Sequence, residues 1–325
     1  MRRGIVFATS LLEPLVELAR DAEAAGVDRV WTTEYPGRDA VARALALALT
    51  TERLEIGTGV AYAFTRPPLA MAALASDVHR LSGERFSLGI SAGTRGVRRW
   101  YGAEFDPPAP KMAEYVTAVR ERWRDTDTYP AHPPVYLPAF HPVMTRYAST
   151  VSDGLLLHPL AAIRTHLRDR VLPAIARGSQ DREKPLDIAA WQMTAIDDDE
   201  DRARRRAAAQ IAFYLSTPSY AVAVEGTPWN DVPERVRTAA AESGEYDWMM
   251  LGALIPEDLV DELAVAGRPA DVSRRLDEVA DRLGPLGVTE LVVQTVGAGQ
   301  DDQTVAEDCR QIVRSLRATA EGESR

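Results

Sequence analysis

The feature that most constrains this chain is an alternation: a short apolar strand and then a stretch with helical periodicity, eight times over in 325 residues. Gly4 to Ala8 reads as a strand, and from Pro14 to Ala25 the residues Leu15, Leu18, Ala19 and Ala22 recur at helical spacing until Gly26 stops the helix. The strand over Asp28 to Thr33 runs into Glu34-Tyr35-Pro36-Gly37, and Val41 to Leu49 is an alanine- and leucine-rich helix. In RLEIGTGVAYAFTRPP, from Arg53 to Pro68, Leu54 and Ile56 make a strand that breaks on Gly57 and Gly59, and Pro67-Pro68 opens a helix lasting to Leu81. Phe86 to Ser91 precedes a helix from Lys111, and Val135 to Ala139 precedes one from Pro142. Asp153 to His158 pairs with Ile163 to Ala176, and Leu186 to Ile196 with Arg202 to Leu215. Glu290 to Val296 is the eighth strand, and its helix carries Val305, Cys309, Ile312, Val313 and Leu316 on one face.

Strands of this kind imply parallel pairing with right-handed crossovers, and eight of them favour a closed (β/α)8 TIM barrel over an open sheet. No linker divides the chain, so one domain is expected over 1–325. From 216 to 266 the pattern lapses into an apolar, proline-containing segment with Trp229 and Trp248, read as an insertion packed on the barrel before the last strand. The helix over Pro269 to Leu283 then restores the pattern, and a polar tail follows Ala320.

A net charge of −10 with a pI near 5.2 argues against nucleic acid or an anionic membrane as partner, since both are met through a basic field. The single cysteine, Cys309, permits no internal disulfide, and no stretch approaches the ~20 apolar residues of a spanning helix. A cytoplasmic protein is expected.

A barrel of this class carries its site at the C-terminal ends of its strands. Those ends are Thr9-Ser10, Glu34-Tyr35, Gly59 to Tyr62, Thr94-Arg95, Phe140-His141, His158, Gln192-Met193 and Gln294-Thr295. Of the 38 basic residues only Lys111 and Lys184 are lysines, one on a helix and one in a loop, so a Schiff-base aldolase is excluded. One carboxylate and two histidines are too few for a metal hydrolase, and a lone Glu34 is too little for a glycosidase. What remains is a barrel whose reactivity comes from an organic cofactor.

Several stretches are specific in combination: VWTTE from Val30, TERLEIGTGV, the Arg66-Pro67-Pro68 helix start, RLSGERFSLGI from Arg80, PPVYLPAFHPVMTRYAS from Pro133, SDGLLLHP, IAFYLSTPSY and MMLGALIPEDLVDELAVAGRPADVSRRL. With these the chain resembles, over nearly its whole length, the luciferase-like monooxygenase superfamily and, within it, the oxidoreductases that use the deazaflavin coenzyme F420. The resemblance implies the bacterial-luciferase type of barrel, with a cis bond at Gly59–Val60 and Val60 backing the central ring of the cofactor. Tyr62 stands where relatives place a hydroxyl near the cofactor. Thr94 and Arg95 correspond to the phosphate side, arginine suiting bidentate phosphate binding. Phe140, His141, Val143 and Met144 correspond to a helix N-terminus that offers backbone amides to an anion, although many relatives have two glycines at Phe140-His141.

Glu34-Tyr35 matches the acid and histidine pair that contacts coenzyme and handles the substrate proton in deazaflavin-dependent dehydrogenases, with tyrosine replacing histidine. Tyrosine is a poor base at neutral pH, so the proton role falls to Tyr35, His158 or His141. Trp191 and Gln192 alternate on their strand, and one of them is expected to line the substrate pocket. His79 reads as a hydrogen-bonding helix residue, and His132 and His166 as surface or loop positions.

The resemblance implies hydride transfer between C5 of F420 and a small neutral or apolar substrate, since the lysines that hold sugar phosphates in relatives are missing. The Trp229 and Trp248 segment is expected to cover that substrate. One alternative is a monooxygenase that takes FMNH2 from a separate reductase, and another is a flavin- or F420-binding barrel without turnover. No metal site is expected, and a homodimer is.

Overall fold

Ten strands, β1 (Arg2–Val6), β2 (Arg29–Thr32), β3 (Glu55–Thr58), β4 (Ala61–Tyr62), β5 (Phe86–Ser91), β6 (Val135–Ala139), β7 (Gly154–Leu157), β8 (Asp187–Ile196), β9 (Ala264–Gly267) and β10 (Glu290–Thr295), form the sheet of this computed structural model. The structure describes residues 1–322, and the last of its helices is Asp302–Gly322; the end of the polar tail lies outside the described residues. The strand order β10-β1-β2-β3-β5-β6-β7-β8, with β10 also pairing with β8, is that of a (β/α)8 barrel. Pairing is parallel, as in Val30↔Ile56 between β2 and β3 and Gly4↔Val292 between β1 and β10. Strands covered on both faces need near-continuous apolar runs, and β2, β7, β9 and β10 are buried at every residue.

By contacts the chain divides into two compact units. One consists of Met1–Val27, Pro159–Asp169 and Ala190–Arg325, the other of Asp28–His158 and Arg170–Ala189. In the second unit, Asp39 accepts from the amides of Val41 and Ala42 at 2.9 and 2.8 Å and so starts the helix Ala40–Thr50. Pro68 opens Pro68–Leu81 at the residues expected. Two glycines are set by close approach: a Cβ at Gly57 would lie 2.3 Å from the Trp31 ring, and one at Gly89 would lie 1.8 Å from the Thr58 carbonyl oxygen.

In the first unit, residues 216–266 fold as Pro218–Ala223, Val232–Ser243, Trp248–Gly252 and Glu257–Leu263 and end in β9, which pairs with β8 from Met193↔Ala264 to Ile196↔Gly267. Helix Trp248–Gly252 lies close on Glu200–Leu215, and a Cβ at Gly252 would meet the Ala209 nitrogen at 2.8 Å. Neither β4 nor β9 is expected from the sequence. Two residues are too few to show a period, and Ala-Val-Ala-Gly has too little β-branched character to announce a strand. The helix read over Ile163 to Ala176 is broken into Arg164–His166, Leu167–Val171 and Leu172–Ser179. His166, read as a surface or loop position, is instead buried, because its short helix packs inward.

Candidate active site

The exits of β2 and β3 build one corner. Gly59 donates to the Thr32 carbonyl at 2.7 Å, and the Glu34 amide donates to the Val60 carbonyl at 3.2 Å, so the two strand ends are stitched together across the glycine break. The Gly59–Val60 peptide between these bonds is cis, the geometry that the resemblance implies. Gly59 and Val60 remain partly exposed, although the strand before them is buried. Thr58 locks the bend from behind: its hydroxyl donates to the Gly89 carbonyl at 2.7 Å and accepts from the Gly89 amide at 2.9 Å.

Glu34 is the buried acid of this corner, its side chain only 4% exposed. Arg66 reaches it from the turn before Pro67, with Nη1 at 3.1 Å from Oε2 and 3.4 Å from Oε1, and the Thr65 hydroxyl donates to Oε1 at 3.4 Å. The other guanidinium nitrogen of Arg66 pairs with Asp39, and the Arg66 carbonyl accepts from the Tyr115 hydroxyl at 2.7 Å. One arginine therefore ties a helix cap to a buried acid. Burial raises the Glu34 pKa, Arg66 lowers it and Asp39 raises it, and the balance lies above the usual carboxylate value. The same burial pushes the Tyr115 hydroxyl up, so it donates without titrating near neutrality.

Aromatic rings stand beside this carboxyl. Tyr62 stacks on Phe64 at 5.1 Å between centroids, and Tyr101 meets both edge-on at 5.9 and 5.5 Å. Gly93, at φ +61°, leaves room for Phe64, which a Cβ there would approach to 3.1 Å. The Tyr101 hydroxyl is raised by burial and then by the charges of Glu34 and Asp39. Tyr35 turns away to an edge contact with the exposed Trp100 at 5.7 Å, beneath the Arg38 guanidinium, and burial raises its hydroxyl as well.

The exits of β5 and β6 are different in character. Thr94 caps the short helix Arg95–Trp100 by accepting from the Val97 amide at 3.3 Å; Arg95 is exposed and has no ion-pair partner among the described residues. The neighbouring Arg98 is structural, bonded to the Gly93 carbonyl at 2.8 Å and to Asp106 at 3.0 Å. After β6, His141 is the cap residue of Pro142–Val151 but makes no side-chain cap bond. The first-turn amides of that helix, at Val143 and Met144, have no partner within it. Phe140 is buried, edge-on to His141 at 4.8 Å and to His158 at 5.4 Å. The Thr145 hydroxyl is buried with no hydrogen-bond partner. Exposed arginine, open helix amides and an unsatisfied buried hydroxyl fit a cofactor with an anionic arm, and the bare corner at Gly59–Val60 fits a flat ring.

The family model for luciferase-like monooxygenases matches residues 8–285. This chain belongs to the luciferase-like monooxygenase family. An uncharacterised protein of Mycobacterium tuberculosis is 31% identical over 315 residues, covering 83% of this chain and 90% of that one. The 5,10-methylenetetrahydromethanopterin reductase of Methanolobus tindarius is 26% identical, covering 90% and 93%. Among solved structures, the coenzyme F420-dependent tetrahydromethanopterin reductase of Methanopyrus kandleri superposes with a TM-score of 0.76 at 21% identity, covering 96% of this chain and 98% of that one.

In this luciferase-like oxidoreductase, Glu34, Gly59, Val60 and Tyr62 share the corner described above. Tyr35 lies beside it on the Trp100 side, whereas Phe140, His141 and His158 form a separate aromatic cluster next to Val143 and Met144. The residues that sequence reasoning missed are those that hold Glu34: Asp39, Thr65, Arg66 and Tyr115. Arg66 was visible within Arg-Pro-Pro, but as the start of a helix; that it turns back onto a carboxylate 32 positions earlier is a tertiary fact. No group of three or more potential metal ligands occurs among the described residues, and no described helix is long and apolar enough to cross a membrane.

Proposed function

We propose that this protein is an F420-dependent oxidoreductase that acts on a small neutral or apolar carbonyl, alcohol or activated alkene. The observation that carries the reading is the buried Glu34 carboxyl with its raised pKa, bonded through its own amide to the Val60 carbonyl at the bare corner. When bound, F420 supplies hydride chemistry at its ring carbon. Glu34, raised by burial, would take or give the substrate proton at Oε1 or Oε2, and Arg66 and Thr65, which donate to those oxygens, hold the carboxyl in place. Tyr62, Phe64 and Tyr101 present an uncharged aromatic wall to the same corner. The guanidinium of Arg95 and the amides of Val143 and Met144 would hold the anionic arm.

A second reading is a monooxygenase that receives FMNH2 from a separate reductase, which the match to the luciferase-like monooxygenase model favours. Titrating the purified protein with F420 and with FMN, and following the fluorescence of each, separates the two. Saturable binding of F420 in preference to FMN is expected. Tight FMN binding without F420 binding, or oxygen-dependent product formation with FMNH2, would reverse the ranking; F420 binding without turnover of any ketone or alcohol would make the chain a binding protein.

A further inference from the structure

Around the Glu34 corner most hydroxyls are already in use. The Thr65 hydroxyl is bonded to the Tyr62 carbonyl at 2.7 Å and to Glu34 Oε1 at 3.4 Å, the Tyr115 hydroxyl donates to the Arg66 carbonyl at 2.7 Å, and Tyr62 is only 7% exposed. Tyr101 is different. It is 40% exposed, and its hydroxyl makes no hydrogen bond among the described residues. Yet its ring is not free to swing, since it meets Tyr62 edge-on at 5.9 Å and Phe64 at 5.5 Å, and those two rings stack on each other at 5.1 Å. Thr65, the residue after Phe64, joins this ring cluster to the carboxyl.

The backbone holds Tyr101 as well. Its amide caps the short helix Arg95–Trp100 by donating to the Val97 carbonyl at 3.3 Å; Gly102, at φ +62°, then turns the chain, and the Ala103 amide returns to the Arg98 carbonyl at 2.9 Å. Arg98 clasps the whole turn to the exit of β5. Buried at 6% exposure, it donates from Nη1 to the Gly93 and Ala92 carbonyls at 2.8 and 3.2 Å and from Nη2 to Asp106 at 3.0 Å. An arginine bonded to both ends of one segment fixes what lies between them. A polar group that is accessible, unbonded and fixed in advance is suited to recognise a ligand, because little ordering cost remains to be met on binding.

The nearby charges set the class of that ligand. Glu34 and Asp39 share the Arg66 guanidinium, so the corner offers no spare positive charge to an anionic substrate. Burial, Glu34 and Asp39 raise the Tyr101 hydroxyl above its ordinary value, and it therefore keeps its proton through the neutral range and donates. We propose that Tyr101 is a specificity-determining residue of this site, its hydroxyl donating to the oxygen of an uncharged ketone, aldehyde or alcohol held beside Glu34, with Arg98 as the positioning residue behind it. The role rests on the proposed reaction at this corner, but a neutral oxygen would be recognised in the same way with either cofactor.

The test uses the intact chain with 13C at the hydroxyl-bearing ring carbon of its ten tyrosines. Tyr101→Phe removes one resonance and so assigns it. Cyclohexanone and acetophenone are titrated against methylenecyclohexane and α-methylstyrene, the same shapes without the oxygen, both with and without F420. At least one ketone should move the Tyr101 resonance while its alkene does not. That ketone should bind Tyr101→Phe about 3- to 10-fold more weakly, the effect of one neutral hydrogen bond, with the alkene's affinity unchanged. Asp106→Asn opens the clasp at an exposed acid and should lower the ketone-to-alkene affinity ratio, whereas a merely structural defect lowers both affinities alike and leaves the ratio. An unmoved Tyr101 resonance under both ketones, or an unchanged ratio in Tyr101→Phe, overturns the assignment of Tyr101, and an unchanged ratio in Asp106→Asn overturns that of Arg98. Should Tyr101→Phe fail to fold, the Asp106→Asn ratio and the wild type's own preference for ketone over alkene decide the matter, absence of either overturning the assignment. F420 binding measured on the same samples keeps the two proposals apart: ketone recognition through Tyr101 without F420 binding sinks the cofactor reading and leaves this one standing, and F420 binding with an unmoved Tyr101 resonance does the reverse.

Discussion

Arg66→Met offers the sharpest test of how the buried acid is held. Arg66 is 15% exposed and Glu34 is 4% exposed at the side chain, so the substitution leaves a carboxylate out of water with only Thr65 and backbone near it. Removing one partner of such a pair costs about 3–5 kcal/mol while the remaining group stays charged. Protonation limits that loss. The Glu34 pKa is already raised by burial against the pull of Arg66, and losing Arg66 raises it further. A raised carboxyl contributes fully to stability below its unfolded value of 4.5, and the contribution is lost as pH rises through the folded value. The penalty of Arg66→Met should therefore be small at pH 4.5 and below and grow as pH rises. In a cycle with Glu34→Gln, the Asp39 contact, made by a half-exposed acid and worth roughly 0–1 kcal/mol, is lost in both backgrounds and cancels. The remaining coupling should be about 2–3 kcal/mol at about pH 8.5 and below about 1 kcal/mol at about pH 4.5. Urea unfolding followed by circular dichroism, for the four proteins at the two pH values, gives these numbers. Coupling below about 0.5 kcal/mol at pH 8.5, or coupling that ignores pH, would refute the placement of a paired, proton-holding acid here.

Other substitutions probe the frame. Gly89→Ala would drive a Cβ to 1.8 Å from the Thr58 carbonyl oxygen and 3.1 Å from the Leu156 side chain, a clash with backbone that cannot swing aside; a loss of about 3 kcal/mol or more in urea stability is expected, and a loss below about 1 kcal/mol would mean that the bend is soft. Asp308, buried against Arg206 at 2.8 Å, is raised from 3.8 to about 6, so its contribution is complete below pH 3.8 and lost as pH rises through about 6. Asp308→Asn should therefore gain on the wild type between pH 4 and pH 7 by on the order of 2 kcal/mol in urea midpoint series, and a constant offset would contradict the raised value. Arg95→Ala should weaken F420 binding by roughly 10-fold in a fluorescence titration and leave the melting temperature unchanged, whereas unchanged affinity would remove Arg95 from the anionic arm.

The barrel was legible because its signal is repeated. Eight apolar strands reinforce one another, and Pro68, Pro142 and Pro269 mark helix starts where the structure has them. Strands β4 and β9 were not legible, β4 because it is two residues long and β9 because Ala-Val-Ala-Gly has little β-branched character. The corner was legible in part: two glycines two residues apart within an apolar strand announce backbone that must stay bare, and Glu34 is a carboxylate placed directly after the neighbouring strand. Its keeper was not, because the bond from Arg66 to Glu34 depends on a turn, and turns that return a side chain across two βα units leave no periodicity to read. Trp191 and Gln192 could be placed on alternate faces from sequence, but only coordinates show that Gln192 is bonded to Leu263 while the Trp191 N–H is left open.

Within the unit that holds Glu34, the chain uses arginine, carboxylate and tyrosine twice, to opposite ends. At the strand starts, Arg29 lies over the rings of Trp31 and Tyr136 at 5.0 and 5.5 Å and pairs with Glu55, while the Tyr136 hydroxyl, pushed up to about 12, donates to Asp187 at 2.5 Å. There the tyrosine, raised by burial, keeps its proton, and the network fastens four strands. At the strand exits the proportions are reversed. Tyr115 bonds the Arg66 backbone rather than the carboxylate, and one guanidinium is shared between a buried acid and a half-exposed one. Burial raises the Glu34 pKa, Arg66 lowers it, and Asp39 on the same guanidinium raises it again. The divided arginine therefore only partly offsets the burial of Glu34, and the proposed proton role of this corner rests on that balance.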